Sequence, residues 1–479
     1  MTTPPRDRRP GRQERIDASL AWLDRYRPLL DDERAFREAL EPPAPVDLLV
    51  HTGRLAAGEL AARLAARGLG VTRLPWAPSH LRIRGHAGAG TLPEVVFGWA
   101  FPQGAASAVP PQALAPRAGE RIADLCAAPG GKTALAALLA GESARIVAGE
   151  VSAGRCGLLV SNLSRLALTS VIIAQQDAAS FPRGASCDAV LLDAPCTGEG
   201  TFRVASPRYE PLGEAGLARA RALQKRILAR AIELLAPGGR LVYATCSYAP
   251  EENEEVLAGA LAENAELELL PLPAATPGLP GIASWQGASF PASLRHARRM
   301  LPHHTGSWGF FVALLARAPR PDTDAAPCPA PGPAAGEDAD ARQLLLDYYR
   351  ERFGVDASAF DGHLVRQRGR DLWLLSRPPR GTEPGLERLR VVAPGLRALH
   401  GTNAGPRTTN AALRWLGSRI RERRLELDGA QTPALLGPEG CPAPAGLAGL
   451  VAVAVEGQVV GAGHAHAGRV TLELPAAWR

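Results

Sequence analysis

Two cysteines follow runs of apolar residues that predict buried strands. Cys196 lies in 191-LLDAPCTGEG-200, three residues after Asp193, and Cys246 lies in 245-TCSYAPEENEE-255. The carboxyl ends of parallel strands meet at one edge of a sheet, which is where such sheets bind ligands. A single cysteine is usually a small buried hydrophobic residue. Two cysteines at matched strand ends, one of them beside an acid and a proline, favour a chemical role.

A pair of thiols at such an edge suits chemistry on a pyrimidine. C5 of cytosine is a poor nucleophile, but a thiolate that adds to C6 makes C5 enamine-like and able to attack a methyl sulfonium. The reaction needs a thiolate, a proton source for N3, a base for the C5 hydrogen and a way to expel the enzyme sulfur. A free thiol is only a few per cent ionised near pH 7, and a nearby ammonium raises that fraction.

Lysine is rare in this chain, which makes each lysine informative. Lys132 and Lys225 are the two lysines among 54 basic residues. An ammonium is compact and fits where the planar fork of arginine does not. Lys132 opens a predicted helix, 132–140, and faces the same sheet edge as the cysteines, so it is a candidate to assist the thiolate.

A glycine turn and two acids predict a nucleoside site on the first three strands. The turn 124-DLCAAPGGKT-133 differs from a phosphate-binding P-loop because Cys126 replaces the first glycine and Pro129 constrains the loop. The nucleoside triphosphatase hypothesis is therefore disfavoured. Glu150 ends the second predicted strand and is placed to accept ribose hydroxyls, and Asp177 follows the third and is placed to accept the exocyclic amine of an adenine. This order predicts an adenosine-type cofactor such as S-adenosylmethionine.

The elements that must position these residues alternate between strand and helix. Strands are predicted at 121–125, 145–150, 170–175, 187–193, 239–245 and 309–317, and helices at 132–140, 152–166 and 217–235. This alternation predicts an α/β fold with a parallel, doubly wound sheet.

Composition shifts divide the chain into four parts. Residues 1–105 predict a small α+β module with a helix at 56–67, and 106–318 hold the alternating pattern. Residues 319–340 are rich in proline and alanine and predict a linker, which leaves 341–479 as a C-terminal region.

Bulk properties bound the class of protein. The 479 residues carry a net charge of +6 with a pI of about 9.1, which fits a polyanionic partner. Seven scattered cysteines without CxxC spacing predict reduced thiols in the cytoplasm, with no disulfide framework and no metal site. The chain has no run of about 18 apolar residues and no signal-like start, so we expect a soluble protein.

These motifs resemble the Nol/Nop/Sun family of RNA cytosine-5 methyltransferases. The stretches that carry the resemblance are DLCAAPGGKT, AGE with Arg155 and NLSR, QQDA, LLDAPCTGEGTFR, LQKRIL, LLAPGGRLVYATCSYAPEENEEV and RRMLPHHTGSWGFFVALL, with QGAAS (103–107) upstream. The resemblance covers about 95–317. It implies a class I methyltransferase, a Rossmann-like doubly wound sheet that uses S-adenosyl-L-methionine.

The resemblance assigns a role to each matched residue. It implies that Cys246 is the nucleophile for C6 and that Cys196 helps to release the product. It places Asp193 against the N3 edge of cytosine and near the methyl donor, with Lys132 beside it. The implied cofactor-binding residues are Cys126, Ala127, Ala128, Pro129, Gly130, Gly131, Lys132, Glu150, Arg155, Asp177 and Asp193. Lys225 matches a family position, and a packing or capping role for it stays equally open.

The C-terminal stretches and three histidines can also be compared with this family. The stretches 385–401, 408–416 and 468–479 resemble the C-terminal part of the bacterial small-subunit rRNA methyltransferase F type, which implies a PUA-like RNA-binding region. Basic residues in 414–424 fit either phosphate contacts or a solvated helix face. His51 stands where the family has asparagine, which puts that contact in doubt. His303 and His304 match a family Pro-His pair and, without an evident third ligand, are expected to order RNA or a loop.

The sequence therefore predicts a cytosine-5 methyltransferase acting on 16S rRNA near the decoding region. The target cytosine must leave its stack to expose C6. A tRNA or 23S rRNA substrate is an alternative, and a non-catalytic RNA-binding ribosome-assembly factor is a second. We expect a monomer whose partner is RNA, without a membrane association.

Overall fold

The computed structural model of the chain describes residues 20–85, 88–182, 186–205, 212–319, 337–377 and 388–474. Most of the predicted linker, 320–336, and the last five residues of the tail lie outside this described part. Within it, no helix combines the length and the apolar character needed to cross a bilayer.

A four-stranded antiparallel sheet is formed by residues 46–102. Its strands, in spatial order β2-β3-β1-β4, are β1 (Val46–Val50), β2 (Gly70–Arg73), β3 (His80–Arg84) and β4 (Ala100–Pro102). The helices of this region are Glu33–Leu40, Ala57–Ala66 and Pro93–Val96, and a 3₁₀ helix spans Ala21–Leu29. Helix Ala57–Ala66 confirms the pattern predicted at 56–67, because Leu60 and Leu64 recur on one buried face.

A ten-stranded sheet forms the centre of the molecule. Its strands in this region are β5 (Arg121–Asp124), β6 (Arg145–Glu150), β7 (Val171–Gln175), β8 (Cys187–Asp193), β9 (Leu235–Thr245), β10 (Leu267–Leu270), β11 (Leu279–Pro280), β14 (Arg298–Met300) and β15 (Phe310–Arg317). A separate ribbon pairs β12 (Ser284–Trp285) with β13 (Ala288–Ser289). The α-helices are Val109–Leu114, Gly131–Ala140, Ala153–Arg165, Gly213–Leu234, Glu254–Glu263 and Pro302–Thr305.

The predicted all-parallel sheet is wrong at its edges. Strands β7-β6-β5-β8-β9 run parallel, but β15 lies antiparallel to β9, and β14 and β10 lie antiparallel to β15. An apolar run predicts a buried strand without giving its direction. The chain returns to the sheet after helix Glu254–Glu263 through short strands, and so enters β15 from the opposite end.

Alternate residues of each central strand pack on opposite faces of the sheet. Ile122 and Ile146 join one buried cluster, and Ala123 and Val147 join another. Both faces are therefore covered, as expected for strands that read as continuous apolar runs.

The C-terminal region contributes to the central sheet as well as forming two sheets of its own. Strand β18 (Val391–Pro394) pairs antiparallel with β7 and extends the central sheet. The further strands are β16 (His363–Arg368), β17 (Asp371–Ser376), β19 (Leu396–Thr402), β20 (Gly405–Thr408), β21 (Arg424–Leu427), β22 (Cys441–Pro442), β23 (Gly449–Val455), β24 (Gln458–His466) and β25 (Arg469–Leu472). The helices are Ala339–Phe353, Asn410–Leu416 and Thr432–Leu436.

Two residues with uncertain predicted roles are buried. Arg414, in the basic stretch 414–424, is neither solvated nor open to phosphate, because its side chain donates to the carbonyls of Val96, Arg165 and Val460. The Nε2 atom of His51 lies 3.0 Å from the carbonyl of Leu166, and burial lowers the His51 pKa to about 4.

Candidate active site

The two predicted site cysteines meet at the carboxyl edge of the central sheet. Cys196 follows β8 and Cys246 follows β9, and these strands are parallel neighbours. Their Sγ atoms lie 3.3 Å apart as free thiols. The hydrogen bond with Cys246 and burial hold the pKa of Cys196 well above its usual value. The Cys196 thiol therefore favours its protonated form, in which it can donate the hydrogen bond between the two sulfurs to Cys246.

Lys132 and Asp193 form an ion pair at the same edge. The Lys132 Nζ atom lies 2.8 Å from Asp193 Oδ2 and 4.9 Å from the centre of the Phe310 ring. Lys132 stands in the first turn of helix Gly131–Ala140, and Asp193 ends β8. The pair puts an acceptor and a cation side by side at the cleft, so it can both bind a base edge and supply a proton.

A buried carboxylate ties the two cysteine-bearing loops together. Glu252 accepts hydrogen bonds from Thr197 N at 2.9 Å, Thr197 Oγ1 at 2.6 Å and the hydroxyl of Ser247. Gln224 Nε2 also donates to Glu252 Oε1 and to the carbonyl of Pro195, both at 2.9 Å. Thr197 follows one cysteine and Ser247 the other, so Glu252 sets the spacing of the thiols. Sequence reasoning missed Glu252 and Gln224; for Gln224 the signal was a polar residue on the buried side of helix Gly213–Leu234.

A third loop, which contains Gly309, packs against the Cys196 loop where that loop meets Cys246. Gly200 N donates to the Cys246 carbonyl at 2.8 Å, and Gly309 N donates to the Gly200 carbonyl at 2.9 Å. A Cβ at Gly200 would lie 2.3 Å from the Gly309 oxygen, so only glycine fits this close approach. The loop that carries Cys246 is thereby held by backbone hydrogen bonds.

A buried acid beside that loop links the thiol site to the N-terminal segment. Both carboxylate oxygens of Glu199 lie 2.8 Å from Tyr26 OH, and Tyr248 N donates to Oε2 at 3.2 Å. Burial raises the pKa of Glu199 to about 7. The 3₁₀ helix Ala21–Leu29 thus reaches the back of the site.

The predicted cofactor loop lies between the ends of β5 and β6. Gly130 has a φ of 110°, and a Cβ there would lie 2.9 Å from Leu159 Cδ1. Arg155 Nη2 donates to the Ala128 carbonyl at 2.9 Å, and Asn162 Nδ2 donates to the Pro129 carbonyl at 2.8 Å. The Arg155 side chain therefore holds the loop in place through a hydrogen bond to the loop's backbone.

Both predicted cofactor acids lie at the same edge. Glu150 ends β6, where Oε1 accepts from Ser152 N at 2.9 Å and Oε2 lies 3.3 Å from Arg155 Nη1. Asp177 follows β7, and its Oδ1 accepts from Ala179 N at 3.1 Å. Each carboxylate keeps acceptor capacity for a hydroxyl or an amine. The glycine turn, the first acid and the second acid fit an adenosine-type group in the order in which the strands lie.

A further acid, which sequence reasoning missed, is buried beneath the ion pair. Asp124 ends β5, and its Oδ2 accepts from Thr133 Oγ1 at 2.7 Å. Burial raises the pKa of Asp124 to about 7, and the charge of Asp193 adds to that rise. Near neutral pH this acid is therefore partly protonated, which lowers the negative charge beside Asp193.

One cleft joins the cofactor loop to the ion pair and to the N-terminal sheet. It is lined by Phe101, Pro102, Gln103, Gly104, Ser107, Cys126, Ala127, Ala128, Pro129, Gly131, Lys132 and Asp193. The stretch after β4 was matched by sequence but given no role at the site. Its place in the wall follows from packing of the N-terminal sheet on the central sheet.

His303 and His304 do have an acidic neighbour, contrary to the expectation from sequence. Asp31 Oδ1 lies 2.9 Å from His303 Nε2, and Asp31 Oδ2 lies 3.0 Å from His304 Nε2. Leu301 N donates to His304 Nδ1 at 3.2 Å, so the His304 proton resides on Nε2. That nitrogen donates to Asp31 and has no lone pair for a metal. The histidine contacts hold the pKa of Asp31 at about 2, and the cluster joins the N-terminal segment to the central region.

Comparisons with known proteins decide the family. Residues 111–316 match the family model described as 16S rRNA methyltransferase RsmB/F. The chain is 32% identical over 302 residues to the tRNA (cytosine(49)-C(5))-methyltransferase of Pyrococcus abyssi, and the match covers 62% of this chain and 96% of that protein. This chain belongs to the Nol/Nop/Sun family of RNA cytosine-C5 methyltransferases.

Further relatives of the family extend the match. The Ribosomal RNA small subunit methyltransferase F of Shewanella loihica is 28% identical over 81% of this chain and 79% of its own length. A crystal structure of a methyltransferase homolog from Pyrococcus horikoshii has 35% identity and a TM-score of 0.56, over 63% of this chain and 98% of that one. Eukaryotic large-subunit rRNA methyltransferases match at 32–38% identity, and the chain spans only 35–48% of their length.

The family match spans the part of the candidate site that carries the thiols, the ion pair and the cofactor acids, while the cleft-wall residues 101–107 precede it. Both cysteines, Lys132, Asp193 and the cofactor acids fall within 111–316. The family is one of S-adenosylmethionine-dependent methyltransferases with a mixed α/β sheet, and the central sheet has that architecture. The nucleoside triphosphatase alternative does not fit this family.

Proposed function

We propose that this protein methylates C5 of cytosine in RNA, with S-adenosylmethionine as the methyl donor and Cys246 as the nucleophile. One observation carries the proposal: two free thiols lie 3.3 Å apart at the ends of adjacent strands, and Cys196 keeps its proton. A non-catalytic RNA-binding factor has no need for such a pair beside an ion pair and two cofactor acids.

The geometry of the edge supports a proposed set of cofactor-binding residues. Residues 126–132 form the loop that would hold S-adenosylmethionine, with Glu150 on the ribose, Asp177 on the adenine and Arg155 fixing the loop. When bound, this cofactor supplies an electrophilic methyl group on a sulfonium.

The chain's own groups perform the addition and the release. The Cys246 thiolate forms a bond to C6, and the electron pair of the C5–C6 double bond moves into the ring toward N3 and C5. Asp193 holds the N3 edge, and the Lys132 ammonium paired with it gives up the proton that balances this charge at N3. After methylation a base removes the C5 proton, the C5–H electron pair forms the C5–C6 double bond again, and the sulfur leaves C6 as a thiolate with the S–C6 pair. N3 then returns its proton to Lys132. Cys196 is in place to help this release as a base or proton shuttle.

The experiment compares two cysteine variants with a remote control. Cys246→Ala is expected to lose all methyl transfer to RNA, because in the proposed mechanism the Cys246 thiolate is the group that adds to C6. Cys196→Ala is expected to accumulate a covalent protein–RNA adduct that resists denaturation. Cys441→Ala, a buried cysteine of the C-terminal sheet, is expected to behave as wild type. Methylation by the Cys246→Ala protein would falsify the assignment.

Calorimetry separates the enzyme from a binding factor that kept the fold. The proposal expects the wild-type protein to bind S-adenosylmethionine. A protein that binds RNA but gives no heat with S-adenosylmethionine is the non-catalytic factor.

We propose 16S rRNA, near the decoding region, as the substrate. Support comes from the small-subunit relative, whose match covers 81% of this chain and so includes at least part of the C-terminal region. The archaeal tRNA relative makes tRNA the second candidate, and 23S rRNA is a third. Bisulfite sequencing of total RNA from a strain that lacks the gene identifies the cytosine whose methylation disappears.

We also propose that the regions flanking the methyltransferase domain (106–318) bind RNA. The N-terminal module (1–105) walls the cleft, and the C-terminal region (341–479), after the linker 319–340, is proposed to be PUA-like. Exposed arginines of its first sheet, such as Arg368 and Arg407, can meet phosphate. We expect a cytoplasmic monomer.

A further inference from the structure

Gln103 is a polar residue of the cleft wall to which the catalytic scheme above gives no role. It lies after β4, in the same cleft as Lys132 and Asp193. We propose that Gln103 reads the target base by donating a hydrogen bond from its side-chain amide to the O2 atom of the flipped cytosine. This inference rests on the proposed function.

The backbone at Gln103 is fixed by a buried acid. Gln103 N donates to the Asp47 carbonyl at 3.1 Å, and Asp47 Oδ2 accepts from Ala105 N at 2.9 Å. The Asp47 carboxylate is also paired with Arg82, whose Nε lies 2.8 Å from Oδ1. Because Asp47 is itself buried in the N-terminal sheet, the loop that carries Gln103 is rigid at the cleft.

The side chain of Gln103 is oriented by a buried histidine. His80 Nε2 lies 3.3 Å from Gln103 Oε1, and His80 is 1% exposed. Burial lowers the pKa of His80 to about 4, so its ring is neutral at pH 7. An amide oxygen only accepts hydrogen bonds, so Nε2 carries the ring proton. The amide oxygen of Gln103 is therefore engaged, and its NH₂ group is presented as a donor.

The lack of a side chain at Gly131 leaves room for the Gln103 amide. Gly131 opens helix Gly131–Ala140, and a Cβ there would lie 2.9 Å from both Cδ and Nε2 of Gln103. The amide group thus packs directly against the first turn of the helix, one residue before Lys132. Its donor therefore lies beside the ion pair in the cleft.

The donors and acceptors of the cleft match the edge of a cytosine. Cytosine presents an amino donor at C4 and acceptors at N3 and O2. The Asp193–Lys132 pair suits the N3 edge and the amine, which leaves O2 for a neutral donor. When the thiolate adds to C6, electron density moves onto N3 and O2, so a donor at O2 binds the transition state more tightly than the ground state. Gln103 then contributes to both base recognition and rate.

The test exchanges one atom of the RNA and one side chain of the protein. Synthetic RNA oligonucleotides spanning the cytosine mapped by bisulfite sequencing carry either cytidine or 2-thiocytidine at that position, because sulfur is the weaker acceptor. Single-turnover rates are measured for the wild type, Gln103→Leu and Gln103→Glu. Loss of a hydrogen bond to a charged transition state predicts a fall of roughly 10- to 100-fold for Gln103→Leu on cytidine RNA.

The decisive quantity is the ratio of rates on cytidine and 2-thiocytidine RNA. We expect the ratio to be several-fold higher for the wild type than for Gln103→Leu, because the variant has no donor to lose. Gln103→Glu, which places an acceptor against O2, is expected to be slower than Gln103→Leu on cytidine RNA. Gln343→Leu, on the exposed face of helix Ala339–Phe353, serves as the matched control and should keep the wild-type ratio.

His80 acts as a positioning residue, and the same ratio tests it. His80→Ala is expected to lower the ratio part of the way toward that of Gln103→Leu, while its melting temperature reports any loss of folding. If the wild type does not methylate the cytidine RNA, the proposed function fails. If it does and the ratio is unchanged in both Gln103 variants, the role of Gln103 alone is overturned.

Discussion

The carboxyl edge of the central sheet holds two half-buried charged side chains and the junction around Arg414 holds a buried one, and the two regions satisfy those charges differently. At the edge, Lys132 pairs with the carboxylate of Asp193, and both line a cleft. At the junction, Arg414 donates to the carbonyls of Val96 at 2.9 Å and Val460 at 2.7 Å. Side-chain partners at a cleft can exchange for a substrate, whereas carbonyls of packed elements cannot move. The ion pair can therefore take part in chemistry, whereas the hydrogen bonds of Arg414 hold packed elements together.

The junction connects three regions of the chain. Val96 belongs to the N-terminal module, Arg165 ends a helix of the central region, and Val460 lies in β24. Arg54 completes the set, because its Nη1 donates to the Arg414 carbonyl at 2.6 Å. Burial and the neighbouring cations lower the pKa of Arg414 to about 9, which still leaves it charged at pH 7.

Of the effects that separate these two regions, the largest is expected for Lys132→Arg. This substitution keeps the positive charge but changes the shape of the group that carries it. Lys132→Arg should lower the rate of methyl transfer on the order of 100-fold, because a planar guanidinium cannot reproduce a compact ammonium between Asp193 and the Phe310 ring. The measurement is a single-turnover rate with saturating RNA.

The second lysine of the chain provides the matched control. Lys225 Nζ lies 3.6 Å from Glu255 Oε1, and its side chain is 47% exposed. Lys225→Arg should stay within about twofold of the wild type, as exposed ion pairs contribute little. Equal losses in the two variants would mean that the edge does not depend on ammonium geometry.

Removal of Arg414 should act on stability and leave the chemistry intact. Arg414→Ala leaves buried carbonyls without donors and opens a cavity, so the free energy of unfolding should fall by about 3 kcal/mol. Denaturant titration measures this change, and kcat of the folded fraction should stay within about twofold of the wild type.

The neighbouring Arg419 is the control for the junction. It is exposed and lies over the Trp415 ring at 5.0 Å. Arg419→Ala should cost under about 1 kcal/mol. A large loss of kcat in Arg414→Ala, without a loss of stability, would contradict the distinction between the two regions.

The smallest effect concerns the buried acid that joins the catalytic edge to the N-terminal segment. The pKa of Glu199 rises from an ordinary 4.5 to about 7 in the folded protein, so folding favours its protonated form. The contribution of Glu199 to the free energy of unfolding is fully present below pH 4.5 and is lost as the pH rises through 7. Unfolding free energy should therefore fall by roughly 2–3 kcal/mol across that window.

A neutral isostere should flatten this dependence. Glu199→Gln is expected to lose less stability than the wild type between pH 5 and pH 7.5, measured by urea titration at each pH. Asp124, with a pKa of about 7, leaves a residual slope of the same sign. Glu268→Gln, at an exposed position of β10, should retain the wild-type slope; an equally steep profile in Glu199→Gln would refute the buried-acid interpretation.

The elements of the central sheet were largely predictable, because apolar periodicity depends on local burial. The helix predicted at 132–140 is observed as Gly131–Ala140, and the strand predicted at 187–193 has those same bounds. The direction of β15 and the pairing of β18 with β7 were not predictable. Strand direction and strand partners depend on where the chain returns to the sheet, which no local pattern encodes.

The sequence by itself determined which groups reach the catalytic edge. Cys196, Cys246, Asp193 and Glu150 each end or follow an apolar run, and parallel strands bring such positions to one side. The order of the glycine turn and the acids predicted the kind of cofactor for the same reason.

Only the tertiary structure decided how those groups are held and what surrounds them. Glu252 joins the two thiol loops, His80 turns the amide of Gln103, and Asp31 meets His303 across 272 positions of the chain. The proton preference of Cys196 likewise follows from its distance to Cys246 and from its burial. Such contacts join segments that are remote in sequence. They depend on how the elements pack together, so they produce no periodic pattern in the sequence.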